Sequence, residues 1–177
     1  MPVIDRARSA LLIVDFQTRL IPAIEDGEVA VANARRLIDG AELFDIPILV
    51  TEQNAAGLGA TVAALRCATA RLVHKMTFDA CRMPDFLAAL PDRPDLVVAG
   101  CETHVCVLQT VLGLIAAGRR IYAVRDAMGS RRSESKETAL HRMEKNGAEI
   151  VTTEMVLFEW LATAADPKLR KVLDLVR

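Results

Sequence analysis

The sequence predicts a doubly wound α/β fold, with a six-stranded parallel sheet flanked by helices on both faces in three α/β/α layers. Three observations lead there. Six short apolar runs alternate with helical stretches along the whole chain. Most of the runs are nearly continuous in apolar residues rather than alternating, as in strands covered on both faces. Parallel neighbours also need crossover connections, and these run right-handed. The length of 177 residues fits one domain, residues 1–177, and 52% apolar content excludes disorder.

The strands are read at 10–14 (Ala-Leu-Leu-Ile-Val), 47–51, 71–74, 95–99, 120–124 and 148–151. Apolar residues at three- and four-residue spacing predict helices over 29–44, 85–90, 107–117 and 133–146. Gly118 and Gly147 stand where two of those helices must stop before the next strand. The terminal stretch 152–177 opens with Met155-Val156-Leu157-Phe158-Glu159-Trp160-Leu161. It reads either as a helix laid against the sheet or as a subunit contact, the latter making the chain a homo-oligomer, a dimer or larger.

Charge and composition narrow the partners. Lys+Arg total 22 and Asp+Glu 23, a net charge of −1 without the basic excess that nucleic-acid binding draws on, so no nucleic acid is expected. No apolar run approaches the length needed to span a bilayer, and charge interrupts the N-terminus at Asp5-Arg6. The reading is therefore cytoplasmic, with no membrane. Cys67, Cys81, Cys101 and Cys106 lack CxxC spacing, so disulfides are not expected.

In a doubly wound sheet the site lies beyond the carboxyl ends of the strands. Three residues there invite chemistry. Asp15 directly follows the first strand; a buried carboxylate needs a partner, unless it simply caps the next helix. Lys75 follows the third strand, either as a solvated lysine or as a charge aimed inward. Cys106 heads the long apolar helix after the fourth strand. It is either a small buried apolar residue or a thiol whose pKa the helix start lowers toward thiolate. Together an acid, an amine and a thiol from three strand ends make an acyl-transfer site, with backbone amides to hold an oxyanion. Gly57-Leu58-Gly59 lacks phosphate-loop spacing and reads as a turn.

Asp15-Phe16-Gln17, Lys75 and Gly100-x-Glu102-Thr103-His104-x-Cys106-Val107, with Thr51-Glu52-Gln53 and Asp126-Ala127-x-x-Ser130-Arg131, resemble the isochorismatase-like cysteine hydrolases over nearly the whole chain. The resemblance implies a Rossmann-like hydrolase domain with Cys106 as nucleophile, Asp15 as general base and then acid, and Lys75 as electrostatic activator. It further implies a cis peptide at Cys101–Glu102 and an oxyanion hole from the amides of Glu102 and Cys106. The metal-binding branch of that family uses an Asp and histidines after the second strand. This chain has Glu52-Gln53-Asn54 there and only His74, His104 and His141 in all, so neither metal nor cofactor is expected.

Retention of Cys106 directs the reading toward small amide, carbamoyl or related acyl C–N substrates. Phe16, Gln17, Gln53 and Phe78 are the expected pocket walls. His104 is expected to pack or hydrogen-bond under the helix start, or else to lend polarity to the pocket, and Glu102 to turn away toward backbone or Thr103. Arg131-Arg132 reads as a solvated helix entry, with Cys67 and Cys81 as packing. Two rival classes stay open: a catalytically silent oligomeric protein of the same fold, and a redox thiol with Cys101 or Cys81 resolving a sulfenate on Cys106.

Overall fold

The structure, a computed structural model, describes residues 3–177. Six parallel strands form one sheet in the order β3-β2-β1-β4-β5-β6. They are β1 Ser9–Val14, β2 Ile48–Gln53, β3 Arg71–Lys75, β4 Asp95–Cys101, β5 Arg120–Gly129 and β6 Glu149–Val151. The order reverses between β1 and β4, so the doubly wound topology is as the alternation of runs required.

Among the described residues seven α-helices connect and cover the strands: α1 Gly27–Leu43, α2 Ala55–Leu58, α3 Phe86–Ala89, α4 Leu108–Ala116, α5 Ser133–Lys145, α6 Thr153–Leu161 and α7 Leu169–Val176. Gly118 and Gly147 adopt φ of 79° and 104° just beyond α4 and α5, the left-handed stops that a Cβ would oppose.

Alternation along each strand sorts side chains into two cores. Leu11, Ile13, Val97 and Val124 pack toward α1, α6 and α7 with Leu37, Ile38 and Trp160. Leu12, Val14, Leu96 and Val98 pack toward α3, α4 and α5 with Phe86, Val111 and Met143. Each such aliphatic side chain contributes about 1.5–3 kcal/mol on burial. The apolar terminal stretch is mostly consumed here: Val156, Leu157, Trp160 and Leu161 are buried against the sheet side of α1. Met155 and Phe158 remain partly exposed. The first of the two readings of this segment therefore describes most of it.

Several boundaries differ from the sequence reading. β2 runs two residues further, through Glu52 and Gln53, because both polar side chains find buried partners at the strand end. β5 continues five residues past Val124, pairing Met128 and Gly129 with Gly100 and Cys101 beyond a register shift. The apolar run breaks at Arg125-Asp126, where that irregularity falls, although the strand does not. The 85–90 helix shrinks to the single turn of α3. A π-helical turn, Thr103–Val107, precedes α4 and holds Cys106.

No helix among the described residues is long and apolar enough to cross a membrane. One close approach sets the spacing of the central strands: a Cβ on Gly100 would stand 2.6 Å from both Cβ and O of Val14. Gly100→Ala is therefore expected to lower stability by about 1–3 kcal/mol through overpacking, read as a reduced midpoint in urea unfolding. An unchanged midpoint would mean that β1 and β4 can separate freely.

Candidate active site

Asp15 directly follows β1 in a left-handed conformation (φ 54°) that turns the chain at the carboxyl edge. Lys75 ends β3. Between them lies β2, so the two backbones stand two strand spacings, about 9–10 Å, apart. Only a long side chain closes that gap. The Lys75 ammonium reaches Asp15 Oδ2 at 2.6 Å, with both side chains fully buried.

Each charge has further polar partners. Thr51 on β2 donates its hydroxyl to Asp15 Oδ1 at 2.7 Å, and the Asp15 N–H donates to the Thr51 carbonyl. Lys75 Nζ donates to Gln53 Oε1 at 2.9 Å and, more distantly, to the Thr77 carbonyl at 3.4 Å. A buried ion pair must recover the hydration that both ions lose, and these extra hydrogen bonds help to do so. Asp15 is thus a buried ion-pair partner rather than a helix cap, and Lys75 is not a solvated surface lysine.

Cys106 approaches the pair from the turn after β4, where the Asp15 carboxylate and the Lys75 ammonium are the charges that act on its thiol. The electrostatics differ from the lowered thiol expected at a helix start. Burial, followed by the Asp15 carboxylate, pushes the Cys106 thiol up to about 12, while Lys75 pulls it down by less. The local structure gives the reason. The cysteine lies within a π-helical turn, nearly buried, and its carboxylate neighbour opposes a second negative charge. The sulfur is therefore a neutral thiol at rest beside a group able to accept its proton.

The turn is braced from β5. The Cys101–Glu102 peptide is cis. Glu102 turns away toward backbone, the first of its two expected partners, rather than toward Thr103. Its Oε2 accepts from the backbone N–H of Arg131 and from Arg131 Nε at 2.9 Å. Arg131 is thus more than a solvated helix entry, because it clamps the turn to the segment after β5. The Thr103 hydroxyl donates to the Gly129 carbonyl, and His104 Nδ1 shares a hydrogen bond with Ser130 Oγ at 3.0 Å. Asp126 serves the fold, accepting from the N–H and hydroxyl of Thr153 at the start of α6.

The expected pocket walls need correction. Phe16 has no exposed surface. The left-handed turn at Asp15 breaks the strand's alternation, and the ring joins Leu11 and Ile13 in one core instead of facing the cleft. Gln17 is also buried, its amide spent on backbone groups of Gln53 and Gly59. Gln53 turns to Lys75 and to the Met76 carbonyl. Phe78 alone of the four is well exposed, on the loop after β3.

Thr51 was missed as a partner of Asp15. Its signal was the polar Thr51-Glu52-Gln53 ending of an otherwise apolar run. All four cysteines are free thiols, and burial likewise pushes Cys81 and Cys101 up to about 12. Cys67 lies outside this site, bonded to Glu42 and Thr69. Among the described residues no group of three or more His, Cys, Asp or Glu side chains is arranged to hold a metal ion.

Comparison with known proteins adds the following. A family model for the isochorismatase domain matches residues 9–155. Isochorismatase domain-containing protein 1 of Danio rerio is 35% identical over 97% of this chain; the chain spans 62% of that relative's length. The solved structure of the MAR1 ribonuclease from Caenorhabditis elegans superposes with a TM-score of 0.92 at 32% identity, covering 98% of this chain and 91% of that one. The YcaC gene product from Escherichia coli, described as an octameric hydrolase of unknown specificity, gives 0.85 at 26% identity, covering 97% and 94%.

The geometry sets a pH signature. Moving the thiol proton onto Asp15 creates thiolate without releasing a proton to solvent. Iodoacetamide labelling of Cys106 should therefore be flat between about pH 6 and 8, where an ordinary thiol of pKa about 8.5 gains nearly tenfold per pH unit. Asp15→Asn removes the acceptor and should restore that tenfold-per-unit rise, followed by peptide mass spectrometry. A steep wild-type profile would contradict internal transfer.

Proposed function

The chain belongs to the isochorismatase family, and from that membership we propose a cysteine hydrolase acting on a small amide, carbamoyl or related acyl C–N substrate. The observation that carries this reading is the convergence of Cys106, Asp15 and Lys75 from three separate strand ends, with the acid and ammonium 2.6 Å apart and buried. An acid beside a neutral thiol, with a fixed positive charge beside both, is the equipment that thiol-based acyl transfer needs.

In this reading the Cys106 proton passes to Asp15, and the resulting thiolate attacks the substrate carbonyl carbon. As Asp15 is neutralised, the thiolate replaces the carboxylate as the negative partner of the Lys75 ammonium. The carbonyl oxygen becomes an oxyanion held by the backbone N–H groups of Glu102 and Cys106. Such donors are worth about 10²–10³ in rate each. Collapse breaks the C–N bond, and Asp15 returns its proton to the leaving nitrogen. Water then adds to the thioester as Asp15 takes a proton from it; release of the acid hands that proton back to the sulfur.

The chain's net charge of −1 argues against a polyanionic substrate, although a structural neighbour is named a ribonuclease. The octameric neighbour supports a homo-oligomer, with Met155 and Phe158 as exposed apolar surface available for it. Four free thiols suit a reducing, cytoplasmic setting.

A panel of small amides and carbamoyl compounds, scored for release of ammonia or acid, tests the assignment. Cys106→Ala should lose about 10⁴-fold or more of whatever turnover the wild type shows, with an unchanged circular-dichroism spectrum. Retained turnover in that variant would defeat the covalent scheme. RNA cleavage that depends on Cys106 would move the substrate class to phosphodiesters.

A further inference from the structure

Lys75 must do two things at once. It neutralises Asp15 in the resting site, and it must stay in place when Asp15 is protonated and the negative charge has moved to sulfur. In the second state the ionic attraction holding the ammonium to the carboxylate is gone. What remains fixed are its neutral acceptors. The Thr77 carbonyl, at 3.4 Å, lies beyond good hydrogen-bond distance, whereas Gln53 Oε1 lies at 2.9 Å.

The position of Gln53 is over-determined. It ends β2, the strand between those of Asp15 and Lys75, and is paired in register with Lys75 itself. Its side-chain nitrogen donates to the Met76 carbonyl at 2.8 Å, which fixes the amide with its oxygen toward the ammonium. Its backbone is gripped from the other side. Gln17 Oε1 accepts from the Gln53 N–H at 2.8 Å, and Gln17 Nε2 donates to the Gln53 carbonyl at 3.0 Å and to the Gly59 carbonyl. Gln17, Gln53 and Lys75 are buried, whereas Met76 and Gly59 belong to more exposed loops.

We propose that Gln53 is a positioning residue: its side-chain oxygen is the uncharged acceptor that holds the Lys75 ammonium at the Cys106 sulfur in both proton states of Asp15. Neutrality is the point. A carboxylate at this position would bind the ammonium more tightly, but it would set a fixed negative charge against the thiolate that Lys75 is there to stabilise. The charged groups facing the thiol are Asp15 from β1 and Lys75 from β3, so residue 53 decides the local balance. The assignment rests on the cysteine-hydrolase reading above.

The test is the iodoacetamide labelling rate of Cys106 at about pH 6–8 in the full-length wild type, Gln53→Glu and Gln53→Met, with thermal unfolding of each. Both variants lose the donor to Met76, so damage to that loop is common to them. The proposal expects the flat profile to persist in Gln53→Glu with its plateau at least tenfold lower. It expects a lower plateau in Gln53→Met as well, because no acceptor remains. A purely structural role would shift the melting temperature and leave the plateau where it was; that result in either folded variant overturns the proposal. If Gln53→Met does not fold, the near-isosteric Gln53→Glu decides. A wild-type Cys106 no more reactive than Cys81 would overturn the hydrolase reading and this assignment together, whereas a reactive wild type with unaltered variants overturns this assignment alone.

Discussion

The site depends on an ammonium and a carboxylate held 2.6 Å apart where neither meets water. A buried pair of this kind gains little by itself, because the hydration lost by two ions is about as large as their attraction. Breaking it from one side is costly, since the remaining charge is left stranded. The surrounding groups follow from that constraint. Thr51 completes the carboxylate, Gln53 completes the ammonium, and Gln17 holds Gln53. The polar ends of β1, β2 and β3 form one hydrogen-bonded layer on top of an otherwise apolar sheet, and Cys106 is lowered onto it from the turn after β4.

The topology makes this layer possible. Reversal of strand order between β1 and β4 opens a crevice at the carboxyl edge, where helices on opposite faces diverge. Asp15 and the turn bearing Cys106 follow the carboxyl ends of these two strands. Lys75 belongs to the edge strand and enters only because its side chain can cross the end of β2. The close approach of Val14 and Gly100 keeps the two central strands in contact beneath the site. Glu102 and Arg131 tie the turn to the β5 side, so the sulfur is supported from both halves of the sheet.

Much of this was legible in the chain alone. The six apolar runs gave the strand count, the nearly continuous apolar character of most of them implied helices on both faces, and Gly118 and Gly147 marked two helix ends. Asp15 and Lys75 stood out because each places a charge at the carboxyl end of an apolar strand, and Cys106 because it heads the helix that follows a third such strand. The illegible parts share a cause, which is that polar residues hide continuing structure. Glu52 and Gln53 disguised the end of β2, Arg125 and Asp126 disguised the second half of β5, and Phe16 looked like a pocket wall because nothing in sequence announces a left-handed turn at Asp15. The thiol's raised pKa was also beyond reach. The helix-start argument counted a favourable dipole, but burial and the facing carboxylate outweigh it, and both depend on tertiary packing.

The central claim is that the substrate's acyl group passes through a covalent bond to one sulfur. Rapid quenching of wild-type enzyme with its best amide substrate, followed by intact-mass and peptide analysis, addresses it directly. The account predicts an acyl increment on the Cys106 peptide that forms at least as fast as the acid product and disappears when substrate is exhausted. Steady acid release with no mass increment on Cys106, or with the increment on another residue, would contradict it.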